Sequence, residues 1–169
     1  VLGNLSTTLK ALIGGGDFWA FSAGLQTTVP TANDLRIFVV DGTELVRVEN
    51  DSVHLMPFLG FLFTPTNSFF AQSFVQFDFD ANGNPVHINA NGTGLARSGS
   101  ANDASLLYTD VSAGYWLFRN DGSRYNGVTG ATLLLELHYN RSLQTTDVVR
   151  GGPIQVGNFA DNVEVLNMV

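Results

Sequence analysis

Two aspartates and an asparagine at alternate positions are the residues of this chain whose spacing is closest to that of a chemical site. Asp78, Asp80 and Asn82 precede Gly83 in the segment DFDANGN, which matches the start of a D-x-D-x-N-G calcium loop. In such a loop alternate oxygens converge on the cation, and the glycine makes a tight turn. The twelfth position is Asn89 rather than glutamate, and the segment follows a strand rather than a helix. Two interpretations therefore stay open, a weak calcium site in an external loop and a polar turn at a strand end.

The other side chains that could bind a metal or act in catalysis form no recognisable motif. His54, His87 and His138 lie in separate segments, and no pair has the i,i+4 or H-x-H spacing of metal ligands. The chain has no cysteine, which excludes a disulfide scaffold and any Cys-ligated zinc, haem or iron–sulfur site. It also lacks a G-x-S-x-G turn and a phosphate-binding glycine loop. Apart from the weak calcium site, we expect neither a cofactor nor an enzyme activity.

Composition narrows the class of protein. The 169 residues fit one domain, and 44% of them are hydrophobic, which excludes disorder. Charged residues make up only 14%, well below the roughly 25% of an average soluble chain. Eight Lys and Arg against fifteen Asp and Glu give a net charge of -7, which argues against a nucleic-acid partner. The longest nearly apolar run, Leu55 to Phe63, is much shorter than the roughly 20 residues of a spanning helix.

The elements that position the polar residues are predicted to be strands, because hydrophobicity alternates with a period of two. Clusters of Gly, Asn, Asp and Pro separate seven such runs. The runs lie at 5–13, 18–29, 53–63, 69–79, 105–118, 131–140 and 163–169. They are longer than the roughly 5–6 residues of an average soluble strand, and they suit strands of about 9–11 residues that cross a bilayer at a tilt.

The connections between these runs alternate between short and long. Short links at 14–17 and 64–68 and a medium turn at 119–130 alternate with long links at 30–52, 80–104 and 141–162. Outer-membrane barrels have this asymmetry, with short turns at one end and long external loops at the other. The sequence therefore predicts an all-β fold, an antiparallel up-and-down transmembrane β-barrel whose long links share the outward side. A β-sandwich could produce the same alternation by chance.

The two faces of each predicted strand differ in character. In the second run Trp19 and Phe21 share one face, while Ser22 and Gln26 share the other. The polar faces are rich in Ser, Thr, Gln and Gly with isolated charges, whereas soluble surfaces usually carry dense Lys and Glu. The third run is an exception, since Phe58 and its neighbours make its second face apolar too.

The isolated charges and amides on the polar faces are predicted to line the lumen of the barrel. Inside a barrel such groups are solvated by water or by opposite charges, and they determine which solutes pass. The alternative is an internal hydrogen-bond network in a closed, non-conducting barrel. The residues of this set are Lys10, Gln72, Gln76, Asp78, Asp110, Glu136 and His138.

Four segments of the chain resemble the strands of Gram-negative outer-membrane barrels: GNLSTTLKALI, FSAGLQTTVPT, GATLLLELHYNRSL and DNVEVLNMV. They are similar to the transporters of the MetA-pathway-of-phenol-degradation family, including the planctomycete relatives. That family repeats a G-D/N-L-x-x-x-x-K strand, here Gly3 to Lys10, and a G-L-x-x-x-x-P-T strand, here Gly24 to Thr31. The resemblance covers most of the chain and implies an outer-membrane channel.

The chain departs from this family in its number of strands and at its end. Seven runs are an odd number, and the terminal aromatic residue is absent. Bacterial single-chain barrels have an even number of strands. We therefore expect residues 1–169 to be a single barrel domain that is incomplete at both ends and belongs to a larger, even-stranded barrel.

These patterns together predict a porin-like protein of the bacterial outer membrane that allows small solutes to cross passively. Its expected partners are membrane lipid and a small solute. A homo-oligomer, in which a second copy of the chain is a further partner, stays open as an alternative. The runner-up is a soluble or surface-exposed β-sandwich with a structural or binding role, such as an adhesin, filament or capsid subunit.

Overall fold

The computed structural model describes residues 3–119, 128–157 and 162–169, and these residues form strands and loops. Thirteen strands follow one another along this part of the chain. They are β1 (Leu5–Gly15), β2 (Trp19–Val29), β3 (Leu35–Phe38), β4 (Glu44–Val48), β5 (His54–Phe63), β6 (Phe69–Asp80), β7 (Asn84–Ile88), β8 (Ala96–Ala101), β9 (Ser105–Arg119), β10 (Gly130–Gln144), β11 (Val149–Gly151), β12 (Ile154–Val156) and β13 (Glu164–Met168). In the described ranges no helix is long and apolar enough to cross a membrane.

Seven strands form one large sheet in the order β1-β2-β5-β6-β9-β10-β13. Every neighbouring pair is antiparallel, so the sheet is an up-and-down meander in which each strand pairs with the next long one. The prediction of an all-β, antiparallel chain is confirmed, and each of the seven runs contains one strand of this sheet. The largest difference in bounds is at β10, which continues past Asn140 because Arg141 and Ser142 still pair with β9. Strands β1 and β13 lie at the two edges of the sheet.

One face of the large sheet is apolar and exposed, and we call it the apolar face. The register places Trp19, Phe63, Ala71, Ala113 and Leu135 side by side across it. Small hydroxyl side chains, such as those of Thr27, Ser73 and Thr109, are interspersed among the apolar ones. Many of its large apolar side chains are exposed: Leu5, Leu9, Trp19, Leu25, Leu59, Phe61, Phe63, Phe77, Val111, Tyr115, Leu133, Leu135, Leu137, Leu166 and Met168. Arg141 and Glu164, which pair opposite each other at one end, are the only charged residues on this face within the described strands.

The opposite face, the polar face, has phenylalanine rings lying over glycines. Gly24 pairs directly with Phe58, and Gly114 pairs with Phe70. A Cβ atom on either glycine would overlap the facing ring, so only glycine leaves room for it. This explains the exception in the third run: Phe58 lies on the polar face but is 8% exposed because it packs into the space above Gly24.

The three long links all leave the same end of the large sheet and fold together. They contain a four-stranded sheet, in the order β3-β4-β7-β8, and the hairpin β11–β12. The β4–β7 pairing joins the first link to the second, and Val149 of the third link packs against Gly99 of β8. Val86, Ile88, Ala101 and Val149 form the buried core of this loop unit. The chain's apolar core thus lies mainly in the links, and Phe58 is the one buried apolar residue of the large sheet among those described.

Candidate functional site

All seven residues predicted to line a lumen lie on strands of the large sheet and share its polar face. Across the sheet Gln72 pairs with Ser112 and Ser112 with Glu136, while Asp110 pairs with His138. Lys10 and Gln76 lie on one row through Gly24 and Phe58, and Asp78 lies two residues beyond Gln76 on β6. The period-two pattern was sufficient to place these residues on one face, because each paired residue in a sheet points to the same side as its partner.

A pocket of about 530 Å³ opens on the polar face. It is lined from six strands, β1, β2, β5, β6, β9 and β10, so the polar face is concave. Five of the predicted residues line it: Lys10, Gln72, Asp110, Glu136 and His138. Gln76 and Asp78 lie outside its lining, nearer the end of the sheet that carries the loop unit.

An imidazole between two carboxylates occupies one wall of the pocket. Nδ1 of His138 is 2.7 Å from Oδ1 of Asp110, and its Nε2 is 3.7 Å from Oε2 of Glu136. The first distance is a short hydrogen bond, and the second is too long for one. The Asp110 bond fixes the ring orientation and leaves both carboxylates partly open to the pocket, with side chains 42% and 34% exposed.

A buried hydroxyl lies beside this group. Ser112 is 6% exposed, lines the pocket, and has an Oγ that makes no hydrogen bond to any described residue. A serine nucleophile is activated by a hydrogen bond to a neighbouring base such as histidine. Ser112 makes no such bond to a described residue, and the partly exposed carboxylates and imidazole beside it can bind and orient a polar solute.

A second histidine group lies where the polar face meets the loop unit. Nδ1 of His54 is 2.8 Å from Oδ1 of Asp78, and its Nε2 is 3.2 Å from Oδ2 of Asp103. Asp103 belongs to the link just before β9, so this contact ties the links to the wall of the large sheet. Sequence reasoning missed Asp103, because an aspartate in a polar link carries no periodic signal.

The residues of the predicted calcium site make turn contacts. Asp80 accepts backbone N–H groups of Asn82, Gly83 and Asp103 at 2.8–3.1 Å, and Asn82 Oδ1 accepts the N–H of Val53 at 2.8 Å. Within the described ranges no group of three or more His, Asp or Glu is arranged to hold a metal ion. These contacts favour the polar turn, and the calcium site stays an untested prediction.

The arrangement as a whole is a concave polar surface with a charged wall, backed by an exposed apolar surface. No family model, no curated protein and no solved structure matches this chain.

Proposed function

We propose that the seven long strands are part of the wall of a transmembrane β-barrel in a bacterial outer membrane, through which small solutes pass passively. The apolar face carries this proposal. Trp19, Phe63 and Leu135 lie in one row across this face, and all three are exposed. Neighbouring strands carry further exposed apolar side chains, and the charged residues of this face lie at the strand ends. Contiguous exposed apolar surface of this kind indicates a membrane or protein contact.

The lengths of the strands support contact with lipid rather than with another sheet. β1, β2 and β6 have 11, 11 and 12 residues, and about 9–11 tilted residues cross a bilayer. A β-sandwich would need a second sheet over the apolar face. The four-stranded sheet β3-β4-β7-β8 instead packs against the hairpin β11–β12, and the two together form the core of the loop unit.

The free edges of β1 and β13 support the proposal that the barrel is larger than this sheet. In hydrocarbon an unpaired strand edge is costly, so a wall in lipid must close on itself. We place β1 and β13 next to further strands of an even-stranded barrel, or of a second copy of this chain. The loop unit then faces the outside of the cell, because the long loops of such barrels are external.

Membrane fractionation and bilayer conductance test the two halves of the proposal. The protein, exported in a Gram-negative host, should sediment with outer membranes and require detergent for extraction, and the refolded protein should give stepwise conductance in a planar bilayer. Recovery as a monodisperse monomer in detergent-free buffer contradicts the barrel. A folded, membrane-inserted protein without conductance instead supports the closed barrel with an internal hydrogen-bond network.

A further inference from the structure

We infer that the pocket on the polar face selects for small cations, a conclusion that rests on the proposed channel and names the class of solute it takes. Among the described residues the polar face carries four carboxylates, those of Asp78, Asp80, Asp110 and Glu136, against two cations, Lys10 and Arg119. Arg119 lies over the Trp116 ring at the end of β9, outside the lining of the pocket. Two of the four carboxylates are already engaged. Asp78, whose side chain is 10% exposed, contacts His54, and Asp80 accepts three backbone N–H groups.

The carboxylates that a solute can reach are those of Asp110 and Glu136. Asp110 of β9 pairs with His138 of β10, and Glu136 lies two residues before His138 on β10. The exposed fractions of the two carboxylates, 42% and 34%, are several times that of Asp78. His138 donates to Asp110 but is 3.7 Å from Glu136, so it leaves much of the negative charge facing the pocket.

The unpartnered hydroxyl of Ser112 is a second and independent sign of a ligand. It pairs with Glu136 across the β9–β10 ladder and lines the same pocket. A buried polar atom without a protein partner is satisfied by water or by a ligand. An ammonium group or a hydrated cation supplies N–H or O–H donors to the two exposed carboxylates, whereas an anion would be repelled by Asp110 and Glu136.

Lys10 does not cancel this charge. It lies on β1, and strands β2, β5 and β6 separate it from Asp110 in the sheet. Among the described residues it forms no ion pair. Lys10 lines the same concave pocket as Asp110 and Glu136, so its ammonium group lowers the negative potential there without pairing with either carboxylate. Two carboxylates against one lysine leave the pocket with a net negative charge while His138 is neutral.

The test is the reversal potential of the refolded protein in a planar bilayer with asymmetric KCl, and then with methylammonium chloride in place of KCl. The experiment is repeated at increasing alkaline pH until the permeability ratio no longer changes, so that His138, which is hydrogen-bonded to Asp110, is neutral. The native protein should prefer K⁺ and methylammonium over Cl⁻. The double variant Asp110→Asn, Glu136→Gln should lower the cation-to-anion permeability ratio several-fold, and Lys10→Met should raise it.

Glu164→Gln is the matched control, because it removes a carboxylate from the opposite face of the sheet and should leave the ratio unchanged. If the double variant does not reach the bilayer, the single variants Asp110→Asn and Glu136→Gln provide the same comparison. A conducting native protein with no cation preference, or with variants that leave the ratio unchanged, overturns the inference and leaves the channel standing. Absence of any conductance overturns the channel, and the inference with it.

Discussion

Neighbouring residues of β10 lie on opposite sides of the large sheet, and their response to substitution should differ accordingly. Leu135 is 57% exposed on the apolar face, and Glu136 lines the pocket. Leu135→Arg should cost about 2–4 kcal/mol of folding free energy near the bilayer midplane, because a cation then faces hydrocarbon. Glu136→Gln keeps the shape and should change that free energy little. Urea unfolding in lipid vesicles, with heat-modifiable gel migration as a second readout, measures both; the reverse order of effects contradicts the assignment of the faces.

The glycine–phenylalanine pairs of the polar face should tolerate no added methyl group. A Cβ on Gly114 overlaps the Phe70 ring, which itself lies 6.3 Å from the ring of Trp116 and has little room to move. Gly114→Ala should therefore destabilise the sheet by about 1–3 kcal/mol, the usual cost of overpacking. Gly3→Ala is the control, since its Cβ meets no atom within 4 Å. Unfolding of the two variants side by side measures the difference, and a second change, Phe70→Leu, should recover part of the loss; equal stability of both glycine variants argues against the close contact.

At the scale of single residues, the sequence predicts the face of the sheet on which a side chain lies, but not the residues that it contacts. Glu136 and His138 could be placed on one face because the alternation of strands has a fixed period. The Phe58 ring could not be understood from its own strand, since the space it fills is made by Gly24 on the neighbouring strand. Asp103 was missed for a related reason, because its partner His54 is far away along the chain.

At the scale of elements, the long strands were predictable and the short ones were not. Ten or more residues give each of the long strands from β1 to β10 a clear signal, which is alternating hydrophobicity in all of them except β5, where it is an apolar run bounded by polar links. β3, β4, β7, β8, β11 and β12 have three to six residues each, too few for a period to be visible. Their apolar residues are buried only because three separate links fold against one another, which no local pattern records.

The loop unit should therefore unfold without the large sheet. Ile88 is 2% exposed in the core of the unit, and Gly151 of the third link lies directly against it. Ile88→Ala should destabilise the unit by about 2–5 kcal/mol, through lost burial and the cavity left behind. Ile37→Ala on the exposed strand β3, where the side chain is 46% exposed, is the matched control and should cost little.

Proteolysis and hydrogen exchange of the protein in detergent measure this separation. The Ile88 variant should be cleaved faster in the links and exchange faster there, while the heat-modifiable migration that reports the large sheet stays unchanged. Loss of both signals together would mean that the two parts share one cooperative core.

At the scale of the whole molecule, the distribution of buried and exposed apolar residues is the reverse of that in a soluble β-protein. The small loop unit has a dry core of Val86, Ile88, Ala101 and Val149, whereas the large sheet has a polar concave face and exposes its leucines and phenylalanines. The low charged fraction of 14% agrees with the large exposed apolar face of the sheet. The proposed lipid environment would make this distribution stable, since lipid would solvate the apolar face and leave the polar face to water.

The most direct test of this account is a spin-label scan along β10 in a lipid bilayer. The chain has no cysteine, so single cysteines at each position from 133 to 139 can be labelled without a background. Accessibility to oxygen, which concentrates in hydrocarbon, and to a water-soluble nickel complex should alternate with a period of two. Labels at 133, 135, 137 and 139 should be reached by oxygen, and those at 134, 136 and 138 by the nickel complex. Accessibility of the odd positions to the nickel complex, or the opposite phase, would contradict the claim that the apolar face contacts lipid.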